Sequence, residues 1–167
     1  MKDGLILTPI DRYYWRGRTL HYQTLSATHP NWFAQVTRSS GDAGDTYGVD
    51  RLASVVQNNG GTPGDPSELE PIRQQIKIID ESQHFDSELQ YRNTFETLQF
   101  IAGLQLRVYN PISKGSYLSD GDGKTLSATE FGGYVEGDYG LLQDKVRLVG
   151  ALRFDTHTLY PSQLSPK

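Results

Sequence analysis

Cysteine is absent from this 167-residue chain. That absence excludes a disulfide framework, a thiolate metal site and a cysteine nucleophile together. Hydrophobic residues are scarce as well, at 36%, where ordinary domains hold roughly 45–50% on a count that also includes glycine. No apolar run approaches the ~20 residues that a membrane-spanning helix needs. The opening Met1-Lys2-Asp3-Gly4-Leu5-Ile6-Leu7-Thr8-Pro9 offers only Leu5, Ile6 and Leu7 in a row, short of the about 7–15 residues in the core of a secretory signal. No signal segment is therefore expected. The 16 basic residues are scattered singly under a net charge of −4, so the electrostatic footprint of a nucleic-acid-binding protein is missing and no such partner is expected. A Gly-x-Ser-x-Gly elbow and a phosphate-binding loop are missing too, which places catalysis last among the function classes.

What the chain has instead is alternation. From Glu96 to Tyr109 one face carries Leu98, Phe100, Ala102, Leu104, Leu106 and Val108, and the other Thr97, Gln99, Ile101, Gly103, Gln105, Arg107 and Tyr109. Period two over such a length predicts a strand. It exceeds the about five to six residues of an ordinary globular strand and reaches the about 9–11 of a tilted membrane-crossing one. Upstream, Phe85, Leu89 and Tyr91 oppose His84, Asp86, Glu88, Gln90 and Arg92, and only Asn93-Thr94-Phe95 intervenes, which predicts a hairpin. A second hairpin follows the same plan. Phe131, Gly133, Val135, Gly137 and Tyr139 oppose Tyr134, Glu136 and Asp138; after Leu141-Leu142-Gln143-Asp144, Val146, Leu148, Gly150, Leu152 and Phe154 oppose Arg147, Arg153 and Asp155.

The N-terminal third is expected to add two strands joined at Thr28-His29-Pro30-Asn31. The expected fold is thus all-β, an antiparallel meander of about six long strands near 13–27, 31–38, 83–93, 96–109, 131–140 and 145–157, forming one segment of a partial transmembrane β-barrel. Long exterior loops are expected over 39–82 and 110–129, rich in turn formers such as Asn58-Asn59-Gly60-Gly61, Pro63-Gly64-Asp65-Pro66 and Asp120-Gly121-Asp122-Gly123. Inside the first loop, Pro66-Ser67 is expected to cap a short helix with Leu69, Ile72 and Ile76 on one face and Pro71 in its first turn. Short turns at one end and long loops at the other match outer-membrane barrels, whose short turns face the periplasm.

The same alternation suits a soluble antiparallel sandwich, for instance a carbohydrate-binding module on the cell surface. Strand length, turn asymmetry and the polar faces favour the membrane. Glu88, Arg92, Gln105, Arg107, Glu136, Asp138, Arg147 and Arg153 suit a wet lumen, whereas the opposite stripes carry no charge from Leu98 to Val108 or from Val146 to Phe154. A Lys or Arg on a lipid-facing stripe costs roughly 2–4 kcal/mol at the bilayer midplane.

Three stretches carry a family resemblance: Gly133-Tyr134-Val135-Glu136-Gly137-Asp138-Tyr139, then Asp144-Lys145-Val146-Arg147-Leu148-Val149-Gly150-Ala151-Leu152-Arg153-Phe154-Asp155, and Leu164-Ser165-Pro166-Lys167. With Asp80-Glu81-Ser82-Gln83 leading into Leu89-Gln90-Tyr91, residues 78–167 resemble the barrel region of TonB-dependent receptors, especially the Bacteroidetes type. The resemblance implies a bacterial outer-membrane protein, a barrel of about 22 strands with a plug in its lumen, an exterior face that binds an iron chelate, a vitamin or a glycan, and uptake driven by the TonB complex. It also implies that this chain is a fragment, because the plug, the signal peptide and a recognisable TonB box are not in it. About six strands cannot close even an 8-stranded barrel. The next strand is expected to start at Leu164.

No catalytic, metal or cofactor residue is nominated. In Asp120-Gly121-Asp122-Gly123-Lys124, taking Gly123 as the sixth position of a calcium loop puts Leu118 and Thr129 where the end carboxylates belong, and Glu130 misses by one. A turn is the preferred reading over a calcium site. His21, His29, His84 and His157 lack ligand spacing. Glu136 and Asp138 share a strand face and are expected to pair with Arg147 and Arg153 rather than to act as an acid pair. Trp15, Tyr22, Trp32, Phe33, Tyr91 and Tyr139 suit interfacial girdles better than stacking on a sugar.

Overall fold

The computed structural model describes residues 3–62, 66–122, 124–143 and 145–167, with the backbone alone at 66–68. In chain order the elements are β1 (Gly4–Leu7), β2 (Arg12–Trp15), β3 (Thr19–Thr28), β4 (Trp32–Asp42), β5 (Tyr47–Gly48), α1 (Val49–Asn58), α2 (Pro66–Ile76), β6 (Gln83–Phe95), β7 (Leu98–Asn110), β8 (Ala128–Leu141), β9 (Val146–His157) and β10 (Tyr160–Pro166). The fold is all-β with two short helices. A seven-stranded sheet runs β10-β9-β8-β7-β6-β4-β3, and a three-stranded one runs β1-β2-β5. The chain groups into two compact units, the first of residues 1–21, 40–83 and 111–126, the second of residues 22–39, 84–110 and 127–167.

In the second unit the six long strands lie as an antiparallel meander, as the alternation dictates, and β10 adds a seventh. β10 starts at Tyr160, four residues before Leu164, after a turn at Thr158-Leu159. The β7–β8 register sets Leu98 opposite Tyr139, Ala102 opposite Val135 and Leu106 opposite Phe131. The β8–β9 register sets Val135 opposite Leu152 and Gly133 opposite Phe154. Each apolar row therefore runs across three strands on one face, with the polar rows between them on the other. The β3–β4, β6–β7 and β8–β9 connections fall at one end of the meander. The turn at 158–159 falls at the other, so the end with the long connections also holds one short one.

Two glycines let polar side chains lie flat on the sheet. A Cβ on Gly103 would sit 2.4 Å from Cζ of Tyr134, the residue opposite it. A Cβ on Gly132 would meet Oδ1 of Asp155 at 2.7 Å and Nη2 of Arg153 at 3.0 Å. The Tyr134 ring is further held by Gln90, whose Nε2 donates to its hydroxyl at 2.7 Å.

The first unit departs most from expectation. The single strand expected over 13–27 is two, broken at Gly17, whose φ of +65° is a left-handed conformation that glycine adopts without strain. The segment 39–82, expected as one long loop, carries the end of β4, then β5, α1 and α2. Leu52 and Val56 of α1 pack on Ile76 of α2, with Tyr47, Val55, Leu69 and Ile72 around them. The spacing of Leu52, Val55 and Val56 is that of a helix face. The glycine pair that reads as a loop is the helix stop: Gly61 N–H donates to the Val56 carbonyl at 3.0 Å and Gly60 N–H to Gln57 at 3.0 Å, with Gly60 at φ +75°. That is a Schellman cap. The helix with Leu69, Ile72 and Ile76 forms, but Pro71 is its sixth residue, beyond the first turn. The side chain of Ser67, expected as its cap, lies outside the described residues.

Two stability changes follow. Pro71 is exposed and removes a helix-interior hydrogen bond, so Pro71→Ala is expected to stabilise the protein by about 1–3 kcal/mol in a denaturant titration. Gly103→Ala forces the pinned Tyr134 ring to move and is expected to destabilise it by about 1–3 kcal/mol in the same measurement.

Candidate functional site

The seven-stranded sheet separates charge from hydrocarbon. On the polar face, Arg107 of β7 reaches both neighbouring strands, with Nε 2.7 Å from Asp86 Oδ2 on β6 and Nη1 3.4 Å from Glu130 Oε1 on β8. On β9, Arg153 donates through Nε and Nη2 to the two oxygens of Asp155, at 2.8 and 2.7 Å, and through Nη2 to Gln105 on β7 at 3.1 Å. Arg147 and Asp138 form an ion pair at 3.2 Å. These side chains are between 26% and 54% exposed. At such exposure a pair contributes only about 0–1 kcal/mol in water. The network arranges charge of both signs on one surface more than it holds the sheet together.

Of the expected pairings, Asp138 meets Arg147, and Arg153 turns instead to Asp155 and Gln105. Glu136 faces Ile101 and Ala151 in the register and lies with Asp138, Gln99, Arg92 and Asn93 around a hollow of about 460 Å³ at the short-turn end. Sequence alternation placed Arg107 on the right face. Its partners Asp86 and Glu130 depend on the register between strands, which no local pattern encodes.

The opposite face is bare. Leu104 is 49% exposed and Leu148 57%. Leu98, Phe131, Val135, Leu152, Phe154 and Leu164 are exposed beside them. Among the described residues of the second unit, those buried are Thr37 and the glycines Gly103, Gly132 and Gly140. No large apolar side chain is among them.

Four aromatic rings gather on this face toward the short-turn end. Trp32 and Tyr91 lie 4.4 Å apart between centroids, Tyr91 and Phe100 5.6 Å, and Phe95 and Phe100 5.7 Å. Trp32 and Tyr91 were expected as girdle residues; Phe95 and Phe100 join them. Tyr139 lies on the same face, opposite Leu98. Trp15 belongs to the first unit and sits beneath Arg18. The histidines stay apart: His84 stacks on Tyr109 at 4.6 Å, His157 tilts against Tyr160, His29 is in a turn and His21 is exposed on β3. Among the described residues no group of three or more His, Asp or Glu side chains is placed to hold a metal ion.

The Asp120 loop has a structural occupation. Gly123, the pivot of the calcium reading, lies outside the described residues. The Asp120 side chain is 6% exposed, and its carboxylate accepts hydrogen bonds from Ser113 N–H and Oγ–H, from Lys114 N–H at 3.1 Å and from Gly115 N–H at 2.8 Å. Burial works against its charge, and these donors from Ser113, Gly115 and Lys114 outweigh burial and hold the carboxyl well below the usual carboxylate range. With both oxygens engaged, the group pins residues 113–115 to residue 120.

No family model matches this chain, and no curated protein or solved structure matches it either.

The Asp120 anchor carries its own pH dependence. The folded carboxyl lies below its unfolded value of about 3.9, so its contribution is complete above that pH and is lost as pH falls below it toward the native value. Asp120→Asn is expected to remove that acid sensitivity. It is also expected to speed hydrogen exchange at the amides of Ser113, Lys114 and Gly115 by roughly five- to tenfold, read by NMR or mass spectrometry.

Proposed function

We propose that the chain is part of a bacterial outer-membrane TonB-dependent transporter that takes up a scarce nutrient such as an iron chelate, a vitamin or a glycan. The observation that carries this reading is the bare, uncharged face of strands β7 to β9, set against a face of mixed, paired charges on the same strands. In a water-soluble sandwich, Leu104 and Leu148 are the side chains a second sheet covers. In an outer-membrane barrel they meet lipid, and Arg107, Arg147 and Arg153 meet the wet lumen. Strands of 12 to 14 residues exceed the span of the hydrocarbon layer, and the aromatic cluster at Trp32 and Tyr91 suits one interfacial girdle.

In this reading the connections 41–81 and 111–129 face outward and contribute to ligand capture. The role is transport, not catalysis. Coupling to the TonB complex runs through parts of the transporter outside this sequence.

The test uses a residue and its sequence neighbour on opposite faces. Leu104→Arg is expected to lower the free energy of folding into lipid vesicles by about 2–4 kcal/mol, whereas Gln105→Arg, pointing the other way, costs well under half of that. Equal costs for the two variants, or a chain that stays folded and monomeric in plain buffer with Leu104 shielded from water, overturn the proposal.

A further inference from the structure

Strand β2 presents two faces. Arg12 and Tyr14 point to the helix side, where Arg12 forms an ion pair with Asp50 of α1 and Tyr14 lies 5.7 Å from Tyr47. By alternation Tyr13 and Trp15 point the other way. There they line an open hollow of about 360 Å³ together with Arg18, Ala43, Asp80 and Tyr117. That volume falls at the small end of the about 300–1,000 Å³ typical of small-molecule sites. All six residues belong to the first unit.

The chemistry of the hollow is uneven. Arg18 lies over the Trp15 ring, its Cζ 4.6 Å from the centroid. Attraction between a cation and a ring face uses none of the guanidinium's N–H donors. Among the described residues Arg18 has no ion-pair partner. Asp80, by contrast, is already engaged: its Oδ1 accepts from Ser82 N–H at 3.2 Å and Tyr117 also bonds to it. Burial opposes its charge, but Ser82, Tyr117 and the nearby Arg18 keep the carboxyl below its ordinary range. The site thus holds a forked cation that has no acceptor among the described residues, an anion already engaged by Ser82, and three aromatic rings.

A planar fork with empty donors fits a carboxylate better than any neutral group, because the charge-assisted pair is bidentate. Aromatic walls fit a ring, whether aromatic or a sugar. The fixed charge of Asp80 disfavours a ligand that brings a second anionic group beyond the one Arg18 neutralises.

We propose that this hollow binds a small ring-shaped monocarboxylic acid, its carboxylate on Arg18 and its ring against Trp15, Tyr13 and Tyr117. The inference rests on the uptake reading for what becomes of the bound acid. Binding itself is measured separately from membrane insertion.

The full chain carrying Trp32→Phe leaves Trp15 as the sole tryptophan. It is titrated with benzoate and with galacturonate, each beside its neutral counterpart, benzamide and galactose, and with the dianion isophthalate. Trp15 emission and calorimetry are the readouts. At least one of the two acids is expected to saturate the site about tenfold or more tighter than its neutral counterpart, and isophthalate to bind more weakly than benzoate. A preference for benzoate identifies an aromatic acid, and a preference for galacturonate a sugar acid. Arg18→Gln is expected to weaken binding by about tenfold or more, and Arg18→Lys, which keeps charge without the fork, to recover only part of that. Circular dichroism identical to the parent marks both variants as folded. No saturable binding of either acid, neutral forms that bind as well as the acids, or Arg18→Gln binding as the parent does overturns the proposal. Should binding vanish in a chain that still inserts into vesicles, this site falls and the uptake reading stands. Binding kept by a chain that does not insert supports the site and removes the uptake reading alone.

Discussion

Every face of the long sheet follows from the pleat. Successive side chains in a strand leave on opposite sides, so a chain that alternates Leu104 with Gln105, Leu106 with Arg107 and Leu152 with Arg153 must put hydrocarbon on one surface and charge on the other once its backbone pairs. Register then decides whether neighbouring strands agree. A slip of one residue between β7 and β8 would carry Glu130 and Asp138 to the side of Leu104 and Leu148. The fit of Tyr134 over Gly103, and of Arg153 with Asp155 over Gly132, opposes such a slip because each flat-lying side chain needs a glycine beneath it.

That arrangement leaves the second unit with an unusual source of stability. Its ion pairs are half exposed and individually weak, and it buries no large apolar side chain of its own among the described residues. At roughly 25 cal/mol for each Å² of apolar surface removed from water, a cover over the stripe of Leu98, Leu104, Val135, Leu148, Leu152 and Phe154 would add substantially to its stability. Hydrocarbon is that cover in the transporter proposed above. Edge strands β3 and β10 leave backbone groups open to further pairing as well.

The first unit is organised on different terms. Its small core of Leu52, Val56 and Ile76 is closed by helix packing and a glycine cap. The loop at 111–122 is tied down by a buried aspartate acting on backbone amides. Hydrogen bonds fix the chain at Gly60-Gly61 and at residues 113–120, and a preorganised surface loses less entropy when it takes up a ligand. Arg18 is the exception, a cation held over Trp15 that has no ion-pair partner among the described residues.

The local pattern was enough to determine the all-β class, the last four long strands and the two faces of each, because alternation is a property of near neighbours that any pleated backbone must express. It determined less where meaning depends on what lies far along the chain. Asn58-Asn59-Gly60-Gly61 spells a turn equally well in a loop or at a helix end, and only the packing of Leu52 and Val56 on Ile76 selects the cap. Gly17 splits one apparent strand because β2 finds its partners in β1 and β5 while β3 joins the larger sheet. Asp120-Gly121-Asp122 reads as a turn, but that the Asp120 carboxylate fixes it by accepting from Ser113, Lys114 and Gly115 is visible only in the fold. The joining of Arg107 to Asp86 and Glu130, and of Trp15 to Arg18 and Tyr117, was decided by tertiary structure alone, since strand register and loop closure bring together residues that no short-range periodicity relates.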